Sequence, residues 1–143
     1  MMINKETKII TIVAILGLLP FLTLAFLSLV PLKPAEILSI KVINTDNKLY
    51  AGEVLYYIPE ILKYTNRPAR IIKQLLNERA IYYTAVDSNL PMGKSVRVES
   101  IKTSTGDMPG KYFLSYTIVY NYFGFRDIIV TARSNVFEIV TKR

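Results

Sequence analysis

The chain has 143 residues, a formal net charge of +7, and no cysteine or histidine. Without cysteine it can form no disulfide, thiolate nucleophile or thiolate metal site. Without histidine, the Ser-His and Cys-His catalytic pairs and nearly all zinc sites are excluded. We therefore predict no catalytic, cofactor-binding or metal-binding residues, and a protein that is not an enzyme.

The N-terminal run 9–30 is apolar and contains no charged residue. As a helix it would rise roughly 33 Å, enough for a hydrocarbon core of about 30 Å. Pro20 would kink this helix, and Pro31 and Pro34 would end it. The run is longer than the apolar region of a cleaved signal peptide, and no Ala-x-Ala site follows it. It predicts a retained signal-anchor, which is a single transmembrane helix.

The charges around this run predict its orientation. Lys5 and Lys8 precede it, which favours a cytoplasmic N-terminus and an extracytoplasmic C-terminal domain. The predicted localisation is therefore that of a single-pass membrane protein. The predicted organisation is a cytoplasmic N-terminus over 1–8, a transmembrane helix over 9–30, a Pro-containing linker over 31–36 and a β-sandwich domain over 37–143.

The domain opens with strand patterns. The run 37–43 alternates apolar and polar residues, with Leu38 on the apolar face, and predicts a half-buried strand. Residues 44–47 have the composition of a turn. The run 53–64 is rich in β-forming residues, but Pro59 interrupts it, which predicts a bulge or an edge position.

The segment 69–79 fits two structures. Its four large apolar side chains would share one face of a helix, with Pro68 as the first helical residue. The alternative is a pair of strands over 69–76 and 80–86, joined by a turn over 77–79. Six or seven short strands are typical of a β-sandwich, so the context favours strands.

The clearest strand pattern covers 111–120. Its even-numbered residues are large and apolar or aromatic and point one way, whereas Ser115 belongs to the wetter face. A turn over 121–124 follows. The other predicted strands cover 95–102, 125–133 and 136–140.

Tyrosine and aspartate positions predict local exposure. Tyr56 and Tyr57 are adjacent, as are Tyr82 and Tyr83, so one side chain of each pair must face outward if the segment is a strand. Asp87 and Asp107 are interpreted as turn residues, because aspartate hydrogen-bonds to its own backbone in turns.

A basic run is the densest charge feature of the chain. It is compatible with the solvated side of a strand pair or helix, and also with a patch that binds a polyanion or lipid headgroups. No recognised nucleic-acid-binding module accompanies the charge, so nucleic acid is not an expected partner. The candidate patch consists of Lys63, Arg67, Arg70, Lys73 and Arg79.

The segment Asp107-Met-Pro-Gly-Lys-Tyr112-Phe-Leu114 resembles the corner before the penultimate strand of immunoglobulin-like domains. In that corner a tyrosine hydrogen-bonds back to the backbone, which implies this role for Tyr112. Leu114 stands where antibody domains have their second cysteine. The resemblance is therefore to relatives without a disulfide.

The order of short motifs over most of residues 51–140 resembles small membrane-anchored proteins of tailed bacteriophages and prophages. The chain departs from that group by having no cysteine within 57–64. The resemblance implies one transmembrane helix followed by an all-β, immunoglobulin-like sandwich, and it supplies no functional residues. The motifs are Ala51-Gly52-Glu53, the run from Tyr57 to Tyr64, Pro68-Ala69-Arg70-Ile71 with Lys73-Gln74-Leu75, Leu90-Pro91-Met92-Gly93, Pro109-Gly110-Lys111-Tyr112 and Phe125-Arg126-Asp127.

Three functions remain open on these grounds. The first is a non-enzymatic, membrane-tethered interaction module at the cell envelope, which the phage resemblance would make a modifier of the host envelope. The second is a structural or lysis-associated envelope factor that contacts cell wall or lipid headgroups. The third is a hydrolase that depends on carboxylates. The expected partners are membrane lipid and a protein of the envelope.

Overall fold

The computed structural model describes residues 5–29, 32–78, 80–83, 85–104 and 106–141. The chain divides into two compact units, one ending at Leu32 and the other starting at Lys33. The first contains the helix α1 (Lys5–Leu29). In the second, the described strands are β1 (Ala35–Val42), β2 (Lys48–Tyr50), β3 (Val54–Lys63), β4 (Ala69–Leu76), β5 (Ala80–Tyr82), β6 (Val86–Ser88), β7 (Gly93–Val96), β8 (Glu99–Lys102), β9 (Gly110–Tyr122), β10 (Arg126–Arg133) and β11 (Phe137–Val140).

The single-pass transmembrane helix predicted over 9–30 is wrong, and so are the signal-anchor and the membrane localisation that depended on it. Within the residues that the structure describes, no helix is both long and apolar enough to cross a membrane. The predicted fold class is corrected accordingly: its β-rich part is present, and the described residues do not contain its transmembrane part.

The second unit consists of two β-sheets. In the first sheet β3 is central, with β1 on one side and both β7 and β8 on the other. The second sheet has the order β2-β11-β9-β4-β5, with β10 also pairing with β9 and β6 with β4. Of the described pairings, only that of β2 with β11 is parallel. The long strands β3 and β9 therefore organise the two sheets.

The core lies between the inward faces of β3 and β9. Leu55 and Tyr57 of β3 are fully buried, and the ring of Tyr57 meets that of Tyr116 edge to face, with 6.3 Å between the ring centroids. The alternation predicted over 111–120 is confirmed, because the even-numbered side chains of this range are at most 2% exposed. These buried side chains of β9 are Tyr112, Leu114, Tyr116, Ile118 and Tyr120.

The contested segment 69–79 begins with a strand, as its context predicted. β4 pairs with β9 and buries Ile71 and Leu75 against the core. The predicted strand 80–86 is instead two short strands, β5 and β6, which both pair with β4. The predicted strand 95–102 is likewise divided into β7 and β8.

Two irregularities alter the first sheet. Leu38 is 45% exposed, contrary to the predicted alternation, because the register of β1 shifts at this residue and a bulge turns its side chain outward. Pro59 lies within the central strand β3, but β8 pairs only as far as Tyr57 and β7 starts only at Glu60. The missing N–H of Pro59 therefore falls at the gap between two partner strands.

The exposure of one adjacent tyrosine pair follows the prediction, whereas the side chain of Tyr82 in the other pair lies outside the described residues. Tyr56 is 46% exposed whereas its neighbour Tyr57 is fully buried, as expected for adjacent residues of a strand. Ser115 was expected on the wetter face of β9 but is buried. It is flanked in the sheet by Gln74 of β4 and Arg133 of β10, whose longer side chains restrict its contact with water.

The corner before β9 has the predicted hydrogen bond. The hydroxyl of Tyr112 donates to the backbone carbonyl of Met108 at 2.8 Å. Burial, together with the nearby Asp107 carboxylate, raises the pKa of Tyr112, so the hydroxyl stays a donor. Asp107 accepts a hydrogen bond from the backbone N–H of Ser104 at 2.8 Å, which confirms its role as a turn residue.

We expect Tyr112→Phe to lower the free energy of unfolding by about 1 kcal/mol, because it leaves a partly buried carbonyl without its donor. Urea denaturation with an unchanged m-value would measure this loss. Tyr64→Phe is the matched control, because the Tyr64 hydroxyl that it removes donates an exposed hydrogen bond to Glu36 at 3.2 Å. It should change stability by less than about 0.5 kcal/mol. Equal losses in the two variants would contradict a special role for the corner.

Candidate functional site

An open groove on the solvent-facing side of the second sheet gathers polar side chains. Its volume is about 780 Å³, within the range of about 300–1,000 Å³ that is typical of ligand sites. We call it the polar groove. Its characteristic lining residues are Pro68, Arg70, Asp87, Asn89, Asn121 and Asp127.

The strand register brings these side chains together in pairs. Arg70 of β4 lies opposite Asp87 of β6, and Asn121 of β9 lies opposite Asp127 of β10. Facing residues of antiparallel strands have Cβ atoms about 5 Å apart, so their side chains can meet. Arg70 Nε is 3.6 Å from Asp87 Oδ1, and Asn121 Nδ2 donates to Asp127 Oδ1 at 2.7 Å.

Two exposed aromatic rings lie beside the groove, in the turn between β9 and β10. Phe123 and Phe125 are about half exposed and stack with 6.0 Å between their centroids. Asn121 holds this turn, because its Oδ1 accepts a hydrogen bond from the Gly124 N–H at 2.9 Å. The guanidinium of Arg67 covers Phe123, 5.0 Å from its ring centroid. We call residues 123–125 the aromatic turn.

A smaller cavity of about 330 Å³ borders β6 on its other side and is called the recess. Asp87 and Asn89 line both the recess and the polar groove. The remaining charged residues that line the recess are Lys73, Arg97 and Glu99.

Glu99 is the centre of a hydrogen-bond network at the inner end of the recess. Tyr57 and Lys73 each donate to its Oε2 at 2.8 Å, and Arg97 Nε donates to its Oε1 at 2.9 Å. The hydroxyl of Tyr116 is 3.4 Å from Oε1. Tyr57 and Glu99 belong to the first sheet, whereas Lys73 and Tyr116 belong to the second. The network therefore crosses the core.

This network fixes the protonation states of its members. Burial alone would raise the pKa of Glu99, but the hydrogen bond and charge of Lys73, with help from Tyr57 and Arg97, hold it below its usual value. Burial and the Glu99 carboxylate raise the pKa values of Tyr57 and Tyr116 far above the usual range. Glu99 is thus ionised at neutral pH while both tyrosines remain donors.

The predicted basic patch is distributed among several roles. Arg70 lines the polar groove, Lys73 lines the recess, and Arg67 packs on the aromatic turn. Arg70 and Lys73 therefore line different cavities. Arg79 lies outside the described residues.

Lys63, the remaining residue of the predicted patch, is only 2% exposed. Its Nζ donates to the backbone carbonyl of Leu90 at 2.6 Å and lies over the ring of Tyr120. Burial lowers its pKa. Lys63 thereby holds the loop 89–91, which borders both cavities.

Sequence reasoning did not select Glu99, Asn121, Asp127 or the aromatic turn. The pairing of Asn121 with Asp127 follows from the hairpin that the sequence predicted, so this pair had a usable signal. Glu99 had none, because its partners Tyr57, Lys73 and Tyr116 come from distant strands. Among the described residues, no group of acidic side chains could hold a metal ion.

Comparisons with known proteins bear on the fold. No protein-family model matches the chain, and no curated protein matches it in sequence. Among solved structures, it is similar to the C-terminal domain of wzt, with a TM-score of 0.50 and 10% sequence identity over 78% of this chain and 75% of that one. At this identity the likeness concerns the β-rich fold alone. It does not bear on the phage resemblance, which stays a prediction.

We expect Glu99→Gln to lower the free energy of unfolding by about 2 kcal/mol at pH 7, because it removes the charge that Lys73 and Arg97 face. The lowered pKa of Glu99 means that its stabilising contribution is present above about pH 4.5 and is lost as the pH falls through the folded-state value. The difference from wild type should therefore shrink between pH 6 and pH 3.

Denaturant titrations at several pH values would measure this trend. Glu138→Gln is the matched control, because its carboxylate is partly exposed and lies 3.8 Å from Lys48. We expect it to change stability by less than about 0.5 kcal/mol throughout. A Glu99→Gln deficit that is independent of pH would contradict the assigned charge state.

Proposed function

We propose that this protein is a non-enzymatic binding module that holds a polyhydroxylated ligand, a glycan, in the polar groove. The observation that carries this proposal is the convergence of Arg70, Asp87, Asn121 and Asp127 beside an exposed aromatic turn. Sugar hydroxyls donate and accept hydrogen bonds, so guanidinium, amide and carboxylate groups suit them together. Exposed rings add a flat apolar surface for the C–H faces of a sugar.

The groove is preformed, which also supports binding. Asp87 is held by Arg70, and Asp127 is held by Asn121, which in turn fixes the aromatic turn. Side chains that are already oriented lose little conformational freedom when a ligand arrives. The orientations of Asn121 and Asp127 are thus set before the ligand is bound.

The environment of the two aspartates favours binding over hydrolysis. A catalytic acid of a glycosidase needs apolar shielding that keeps its carboxyl group protonated near neutral pH. The side chain of Asp87 is 84% exposed and paired with a cation. Asp127 is exposed and paired with an amide. Both pairs suit ground-state recognition of hydroxyl groups.

A protein partner is the second candidate. Ile129 of β10 is 63% exposed on the same strand as Asp127, and Phe123 and Phe125 are exposed nearby in sequence. Exposed aromatic and aliphatic side chains are typical anchors of protein interfaces. Polar residues dominate the groove itself, and for that reason the glycan is the leading proposal.

The test is an array of neutral and acidic oligosaccharides probed with the purified full chain. We expect saturable binding to a discrete subset of glycans. Asp127→Asn and Phe125→Ala should each weaken that binding about tenfold, which corresponds to about 1.4 kcal/mol. Asp46→Asn makes the same charge change in a remote exposed turn and should bind normally.

Two outcomes would overturn the glycan proposal. One is the absence of binding to any glycan on the array. The other is binding that Asp127→Asn and Phe125→Ala leave unchanged. If the aromatic and Ile129 variants instead abolish capture of a discrete protein, the second candidate is favoured.

A further inference from the structure

The recess and the polar groove are neighbours, since Asp87 and Asn89 line both. A substituent of a ligand seated in the groove can therefore reach the recess past these two residues. We propose that the recess is a subsite for the carboxylate of an acidic sugar, so that the bound glycan contains a uronic acid or a related sugar acid. This inference rests on the proposed function, because the groove would hold the rest of the ligand.

The two cavities differ in the net charge of their lining. Among the described lining residues, the polar groove has one cation, Arg70, against the carboxylates of Asp87 and Asp127. The recess has two cations, Lys73 and Arg97, against the carboxylates of Asp87 and Glu99, so its lining is neutral. An anionic substituent is therefore better placed in the recess, whereas the neutral hydroxyl groups are better placed in the groove.

Arg97 is the residue best placed to meet that anion. Its side chain is 51% exposed, whereas those of Lys73 and Glu99 behind it are 18% and 10% exposed. The bond from Nε to Glu99 fixes the plane of its guanidinium. A guanidinium has five N–H donors, so the terminal nitrogens can bind both oxygens of a carboxylate.

The walls of the recess strengthen such an interaction. Ile71, Val86 and Leu90 contribute apolar surface on the sides of the cavity. Charges attract more strongly where apolar side chains exclude water. The loop bearing Leu90 is held by Lys63, so this wall is in place before a ligand binds.

Matched acidic and neutral ligands test the proposal. The probes are oligosaccharides ending in glucuronate, galacturonate or N-acetylneuraminate, each beside its methyl ester, titrated calorimetrically into the full chain. For at least one pair, the acid should bind about tenfold more tightly than the ester. Arg97→Gln should reduce this preference to about one.

Control variants separate charge recognition from folding. Arg133→Gln makes the same substitution at the opposite end of β10 from Asp127, roughly 20 Å away along the strand, and should keep the preference. Arg97→Lys retains the positive charge but lacks the planar guanidinium, so it should retain part of the preference for the acid over the ester. The unfolding midpoint of each variant shows whether it is folded.

The outcomes distinguish this inference from the proposed function. Equal binding of acid and ester by the wild type, in all three pairs, overturns the carboxylate subsite and leaves the glycan proposal intact. A preference that survives in folded Arg97→Gln also overturns it. If no member of the three pairs binds, the subsite is overturned. If no glycan on the wider array binds either, the glycan proposal is overturned as well.

Discussion

The ion pair between Lys73 and Glu99 joins the two sheets across the core. Tyr57 of one sheet and Tyr116 of the other lie beside this pair, and their hydroxyls donate hydrogen bonds to the Glu99 carboxylate. A buried charge without partners would cost several kcal/mol, so the sheets are restrained to an arrangement in which this network is complete. β4 and β8 also supply the inner surface of the recess. The same interaction therefore defines both the core and one wall of the candidate site.

Much of the β-rich unit could be predicted because strand periodicity is a local property. The alternation in β9 identified its buried face, and the corner motif identified the hydrogen bond of Tyr112. The segment 69–79 could not be decided by periodicity, since Ile71 and Leu75 share a face in a helix and in a strand. The number of neighbouring strands decided it. The anchor prediction rested on the hydropathy of residues 9–30 alone, and it is wrong because no helix among the described residues is both long and apolar enough to cross a membrane.

The candidate site was predictable only where its residues are close in sequence. The basic run contained Arg70 and Lys73, but their partners Asp87 and Glu99 lie on other strands. Their pairing depends on strand order, which composition and local periodicity do not specify. A lysine that stabilises a loop and one that lines a cavity have the same appearance in a sequence. Lys63 shows this most clearly, because it is almost completely buried.

The hydrogen bond from Lys63 to the Leu90 carbonyl has a kinetic consequence. Under the proposed function, a loop that is anchored from within the core does not have to close over an arriving ligand. The association rate would then be set by diffusion and orientation. Differences in affinity among related ligands would arise from how long each one stays bound.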